Sequence, residues 1–161
     1  SEGVIARAEE ALKKGACIVT DTNMAKAGIN KRSLAKFGGE VFCFMNDEDV
    51  RARAAETGST RAAASMEKAA ALGRPLIFAI GNAPTALIRL SELIGEGKLA
   101  PELIIGVPVG FVNVIEAKEL TEAGSVPCII ARGRKGGSNI AACICNALLY
   151  QIDQSRGAGR Q

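Results

Sequence analysis

Short, unbroken apolar runs alternate along the chain with longer stretches in which apolar side chains recur every three or four residues. The runs are residues 16–20 (ACIVT), 41–45 (VFCFM), 75–80 (PLIFAI), 103–107 (LIIGV) and 127–131 (PCIIA). A strand with one wet face alternates apolar and polar residues. These runs do not, so they predict strands buried on both faces. The stretches between them have helical spacing. Val4, Ile5, Ala8 and Leu12 share a face ahead of Lys13-Lys14-Gly15, a basic last turn and a glycine stop. Leu87, Leu90 and Ile94 repeat the pattern, as do Ile140, Ile144, Ala147 and Leu148. Residues 50–57 and 61–72 predict two further helices, split by Gly58-Ser59-Thr60.

This alternation gives about five βα units with a helix in front. It implies an α/β fold, a mostly parallel sheet of about five strands with helices on both faces. Residues 1–154 read as one α/β domain, without an internal repeat or a linker. Residues 155–161, with two glycines and two arginines, read as a frayed tail.

Composition narrows the function. With 161 residues and 23% charged side chains, the chain is long enough to bury its own core. Aromatic residues are 4% and tryptophan is absent, too few for a base-stacking platform. A net charge of +3 does not suggest a protein that neutralises many phosphates, so no nucleic-acid partner is expected. No apolar stretch approaches the ~20 residues of a membrane span, so no membrane partner is expected either. No signal peptide opens the sequence. The five cysteines form no CxxC pair and sit mostly in apolar runs. They read as buried, reduced thiols in a reducing compartment, the cytoplasm. There is no histidine. That removes Ser–His and Cys–His nucleophile pairs and His-based metal sites, and no metal site is expected.

Ligands of open parallel sheets bind beyond the carboxyl ends of the strands. The segments there are Thr20-Asp21-Thr22-Asn23, Asn46-Asp47, Gly81-Asn82-Ala83-Pro84-Thr85, Pro108-Val109-Gly110-Phe111 and Arg132-Gly133-Arg134-Lys135-Gly136-Gly137-Ser138. Pro84 suits a first helical turn. Gly136-Gly137-Ser138 lets backbone N–H groups approach a ligand at a helix start, and Arg132, Arg134 and Lys135 add positive charge for carboxylates or phosphates. Plainer readings stand beside these. The basic loop could be solvated, Asp21 could cap the next helix, and Arg61 could be a surface residue. Neither the P-loop nor the GxGxxG fingerprint is present. A receiver-like domain would have only Asp21 and Asp47 for its acidic cluster. From the residues alone, the sheet end favours a polycarboxylate or phosphate-bearing ligand.

Thr20-Asp21-Thr22-Asn23-Met24 with Ala27-Gly28-Ile29-Asn30, then Gly58-Ser59-Thr60-Arg61, GNAPTAL at 81–87, GVPVGFV at 106–112 and RGRKGGS at 132–138 closely resemble the precorrin-8X methylmutase family of cobalamin biosynthesis. The likeness runs in order from near residue 1 to about residue 150. It implies a flavodoxin-like three-layer α/β/α sandwich and a homodimer with active sites near the subunit interface. The implied activity is an isomerase that moves a methyl group from C-11 to C-12 of a corrin ring, giving hydrogenobyrinate or cobyrinate without a separate cofactor. The implied partner is a corrinoid tetrapyrrole ringed by acetate and propionate side chains. By the resemblance, Arg61 takes the place of an active-site arginine. Asp21, Thr22, Asn30, Thr60, Asn82, Pro84, Thr85, Val109, Gly110, Arg132, Arg134, Gly137 and Ser138 would bind substrate, with Phe111 in the apolar wall.

The same resemblance implies an acid–base histidine near the family's N-terminus, and this chain has none. Its first residues align with a helix that follows that histidine, so the expectation is of a chain shortened at that end. Three alternatives stay open: a truncated enzyme, a corrinoid-binding or carrier module without turnover, or another residue in the base's place. Arginine does not serve, because it does not deprotonate in proteins.

Overall fold

The structure, a computed structural model, describes residues 1–156. Five strands, β1 (Cys17–Thr20), β2 (Val41–Phe42), β3 (Leu76–Ile80), β4 (Leu103–Gly106) and β5 (Cys128–Ile130), form one sheet in the order β2-β1-β3-β4-β5. Every neighbouring pair is parallel. The helices are α1 (Val4–Lys13), α2 (Asn23–Gly28), α3 (Lys31–Ala35), α4 (Glu48–Thr57), α5 (Arg61–Ala70), α6 (Pro84–Gly95), α7 (Val114–Glu122) and α8 (Ser138–Ile152).

The apolar runs are continuous because each face of the sheet has its own core. Ile18, Ile77, Ala79, Leu103 and Ile105 point to one face, against α1, α2, α3 and α8. Their neighbours Cys17, Val19, Leu76, Phe78, Ile80 and Ile104 point to the other, against α4, α5, α6 and α7. This is the period-two geometry of a strand with both faces buried. Phe78 in the middle strand is completely covered, and truncating such a side chain to alanine costs about 3–5 kcal/mol.

The second predicted strand, 41–45, is only two residues long in the structure. The chain leaves the sheet edge after Phe42. Phe44 turns into the core, and its carbonyl accepts the N–H of Asp47 in a turn. The path then doubles back, so α4 starts beside the end of α5. There Lys68 of α5 binds Asp47 at 2.7 Å and Asp49 at 2.8 Å. The antiparallel α4–α5 pair thereby lifts Gly58-Ser59-Thr60 to the strand tips. The periodicity gave no separate outline for α2, α3 or α7. The first two are short and start on side-chain caps: Thr22 accepts the N–H of Ala25, and Asn30 that of Ser33.

Beyond α8 the chain is tied to α3. The carboxylate of Asp153 accepts from Ser33 Oγ at 2.6 Å and from Lys36 Nζ at 3.1 Å. It also accepts from the N–H and hydroxyl of Ser155. Of the expected loose tail, residues 155 and 156 therefore lie in a 3-10 turn, Gln154–Arg156. Residues 157–161 lie outside the described residues. All five cysteines are free thiols, but only Cys17, Cys128 and Cys145 are buried. Cys43 is half-buried and Cys143 is exposed. Burial pushes the Cys145 thiol up to about 12. No described helix is long and apolar enough to cross a membrane.

Candidate functional site

The carboxyl ends of the strands gather the loops into one rim. Its centre lies between β1 and β3, where the strand order reverses direction. Asp21 leaves β1 there and is 1% exposed. One of its carboxylate oxygens accepts the N–H of Gly81 at 2.9 Å; the other accepts those of Asn82 at 2.9 Å and Ala83 at 2.6 Å. Asp21 thus pins the turn that leads into α6, taking the N–H of the N-cap residue Ala83 and of the two residues before it. Burial raises its carboxyl above the usual range, and the three N–H donors pull the other way. With both oxygens engaged beneath the surface, Asp21 holds the Gly81–Ala83 turn and does not face a ligand. It does not cap the helix that follows it in sequence. That following helix is capped by Thr22.

Two hydroxyl pairs join further loops. Thr22 Oγ1 and Ser138 Oγ lie 2.7 Å apart, linking the exit of β1 to the start of α8. Thr60 Oγ1 and Thr85 Oγ1 lie 2.9 Å apart, linking α5 to α6. The second pair brings Arg61, the first residue of α5, to the rim beside Pro84 and Thr85. Arg61 is exposed and has no acidic partner among the described residues. A cleft of about 490 Å³ opens on that flank, lined by Ser59, Thr60, Thr85, Glu67 and Arg89.

On the far side, the loops after β4 and β5 are laced together. Gly137 donates its N–H to Val107 O at 2.8 Å, and Gly110 to Arg134 O at 3.2 Å. Glycine is required at 136, where a Cβ would stand 2.0 Å from the Val107 carbonyl oxygen. Arg134 donates to Phe111 O at 2.9 Å and lies over the Phe111 ring, 5.7 Å from its centroid. Phe111 is 83% exposed and Val112 77%; Val109 stands out of the surface beside them. With Met24, at 71%, they give the rim an apolar surface of a kind that marks interaction sites.

Thr22, Thr60, Arg61, Asn82, Pro84, Thr85, Val109, Gly110, Arg134, Gly137 and Ser138 therefore lie around one mouth. Three residues grouped with them do not: Asp21, buried beneath the rim, and Asn30 and Arg132. Asn30 sits at the far end of α2, capping α3, with its N–H bound to Asn146 Oδ1 at 2.8 Å. Asn146 is eight residues along α8 from Ser138, about 12 Å at 1.5 Å per residue. Arg132 runs along the outer side of β5, where its guanidinium pairs with both oxygens of Glu122 at the end of α7. One residue of consequence was missed. Lys118 of α7 is 2% exposed and donates to Gly133 O at 2.7 Å and Lys135 O at 3.0 Å. Burial pushes its ammonium below the ordinary lysine value. A signal was available: Lys118 shares a helical face with Val114, Ala117 and Thr121, where an apolar residue is the rule.

The rim can therefore hold a partly apolar molecule with acidic substituents. Arg61, Arg134 and Lys135 have no acid partner among the described residues, and the apolar side chains stand among them. No group of three metal-ligating side chains occurs among the described residues.

Comparison with known proteins agrees with this geometry. A sequence profile of precorrin-8X methylmutase matches residues 1–151. The cobalt-precorrin-8 methylmutase of Leptospira interrogans is 45% identical over 156 residues, taking in 92% of this chain and 70% of that protein. That of Salmonella typhimurium is 47% identical over 148 residues, 91% of this chain and 68% of that protein. The chain thus spans about two thirds of the length of these relatives. The crystal structure of a precorrin-8X methylmutase from Thermus thermophilus superposes with a TM-score of 0.85 at 36% identity, over 99% of this chain and 77% of that one. A precorrin-8X methylmutase related protein superposes at 0.86 with 35% identity, over 94% and 80%. Fold, ordered loop motifs and relatives agree, and the chain belongs to the precorrin-8X methylmutase family.

Proposed function

We propose that these residues form the corrin-binding face of an isomerase that moves a methyl group from C-11 to C-12 of precorrin-8 or its cobalt-containing counterpart. One observation carries the reading. Five loops from distant parts of the sequence are bonded to one another around the strand tips, leaving free cations and bare apolar side chains on the same rim. A macrocycle edged by acetate and propionate groups matches both. Arg61 and Arg134 take carboxylates, which guanidinium forks bind in two-point fashion. Val109 and Phe111 lie against the ring, and Asn82, Thr85 and Ser138 offer hydrogen bonds. The shift is intramolecular: the C-11–methyl bond breaks, the C-12–methyl bond forms, and no atom is lost. These residues bind and orient the ring, and no separate cofactor is invoked.

Proton handling is a separate requirement. The family resemblance assigns it to a histidine, and residues 1–161 contain none. General acid–base catalysis contributes about 10²–10⁴-fold. Turnover by these residues alone is therefore expected to be slow by that factor while binding persists. The exposed Met24, Phe111 and Val112 support a second copy of the chain closing over the mouth, a homodimer. The free thiols suit a reducing cytoplasm.

The deciding experiment incubates the chain with cobalt-precorrin-8 and follows the visible spectrum, which moves when the corrin chromophore forms. A spectral change on binding, with slow conversion, supports the proposal. Absence of any spectral perturbation at saturating protein rejects it.

A further inference from the structure

Lys118 is an ammonium held in the protein interior without a carboxylate. Its Nζ is fixed by the carbonyls of Gly133 and Lys135, at 2.7 and 3.0 Å, and no ion pair includes it among the described residues. Burying a charge is expensive unless an opposite charge or strong hydrogen bonds answer it. Two carbonyl dipoles answer it in part, and a full negative charge is wanting.

The two bonds also fix the orientation of the loop. In a trans peptide the N–H points opposite to the C=O of the same unit. The Gly133 carbonyl shares its unit with the N–H of Arg134, and the Lys135 carbonyl with that of Gly136. Since both carbonyls aim inward at Lys118, the N–H groups of Arg134 and Gly136 aim away from it. Neither N–H has a hydrogen-bond partner among the described residues, although Gly136 is only half-buried and Arg134 is exposed. Gly137, next in the chain, is tied back to Val107, so the loop cannot turn over freely.

From this geometry we infer that Lys118 is a positioning residue, which turns the N–H groups of Arg134 and Gly136 outward as two donors for the ligand's carboxylates. The ligand's charge then answers the buried ammonium through the two polarised peptide units. The inference rests on the reading of the mouth as a polycarboxylate site, and it assigns ligand carboxylates to the N–H groups of one stretch of backbone. Lys118 does not touch the ligand. Its contribution is orientation and charge from behind.

The test is an amide-resolved NMR titration of the whole chain, first with tricarballylate, a small tricarboxylate, and then with cobyrinate. The Arg134 and Gly136 amide protons are expected to move downfield with both. In Lys118→Met the same movement should need at least ten times more tricarballylate. Lys118→Arg, which keeps a cation, should restore part of the response. Unmoved amides in the wild-type chain overturn the inference, as does an unchanged titration in a folded Lys118→Met. Should both variants fail to fold, the wild-type titration alone decides. If tricarballylate moves these amides and cobyrinate binds nowhere, the donor pair stands and the corrin reading falls. If cobyrinate binds without moving them, the corrin reading stands and the donor pair falls.

Discussion

The hydroxyls of Thr22 and Ser138 lie 2.7 Å apart, joining the exit of β1 to the first turn of α8 across 116 positions of chain. Thr22 also accepts the Ala25 N–H at 3.1 Å, so one side chain caps a helix and ties a loop. Thr22→Val should lower stability by about 1–2 kcal/mol, the value of a cap with a hydrogen bond. Ser138→Ala loses only the tie and should lower it by about 1 kcal/mol or less. Denaturant melts of both variants and of the double variant should give a coupling of about 0.5–1.5 kcal/mol. Strict additivity would show that the hydroxyls do not interact in solution.

Asp21 serves three N–H donors at once, and none has a second acceptor among the described residues. Asp21→Ala strands the Gly81 N–H in the interior, where a lost partner costs about 1–3 kcal/mol, and leaves those of the exposed Asn82 and half-buried Ala83 to water. The expected result is a loss of about 1–3 kcal/mol and a loosened Gly81–Ala83 turn, read by hydrogen exchange at those three amides. Asp21→Asn keeps one acceptor oxygen and should fall between. Wild-type exchange rates in Asp21→Ala would refute this anchoring role.

The Arg61 side chain has no partner to lose among the described residues, so its replacement should be quiet until ligand arrives. Arg61→Ala should leave the melting temperature within about 2 °C, since surface changes are usually within ±0.5 kcal/mol. It should weaken cobyrinate binding by about 10–100-fold, the worth of a charged hydrogen bond at roughly 1.5–3 kcal/mol. Calorimetric titration decides; equal dissociation constants would make Arg61 an ordinary surface residue.

Asp153 titrates in the opposite sense to a buried lone acid. The hydroxyls of Ser155 and Ser33, with Lys36 beside them, hold its carboxyl well below the usual carboxylate range. A depressed acid stabilises the fold at pH values above its unfolded pKa, near 3.9, and that stabilisation fades as pH falls toward the folded value. Wild-type protein should therefore melt above Asp153→Asn at pH 6, and the gap should narrow below about pH 4. A gap that stays constant from pH 6 to pH 2.5 would remove the charge from the explanation.

The sheet was legible because apolar runs such as LIFAI have no reading other than full burial, and both faces of the sheet are indeed covered. The short second strand was not. VFCFM looks like any buried run, and only the fold shows that Phe44 serves the core from a turn. In the mouth, residues that act through backbone and loop chemistry, such as Gly137, Pro84 and Thr85, were readable from local sequence. Arg132 and Asn30 were misplaced because their partners, Glu122 and Asn146, are fixed by tertiary approach and not by neighbouring residues. Asp21 reads as a polar residue at a strand exit either way. Its inward turn depends on a strand 60 residues later, Gly81 being its partner.

The crossing of Gly136 beneath the Val107 carbonyl, with Gly137 donating to that same oxygen, has a consequence for recognition kinetics. Two strand exits clasped so closely cannot drift apart while the cleft stands empty. Little disorder is then surrendered when a rigid macrocycle settles, and rigidity installed beforehand favours affinity. Encounter should follow one fast phase whose rate rises linearly with ligand concentration. A plateau in that rate would betray a rearrangement that the clasp forbids.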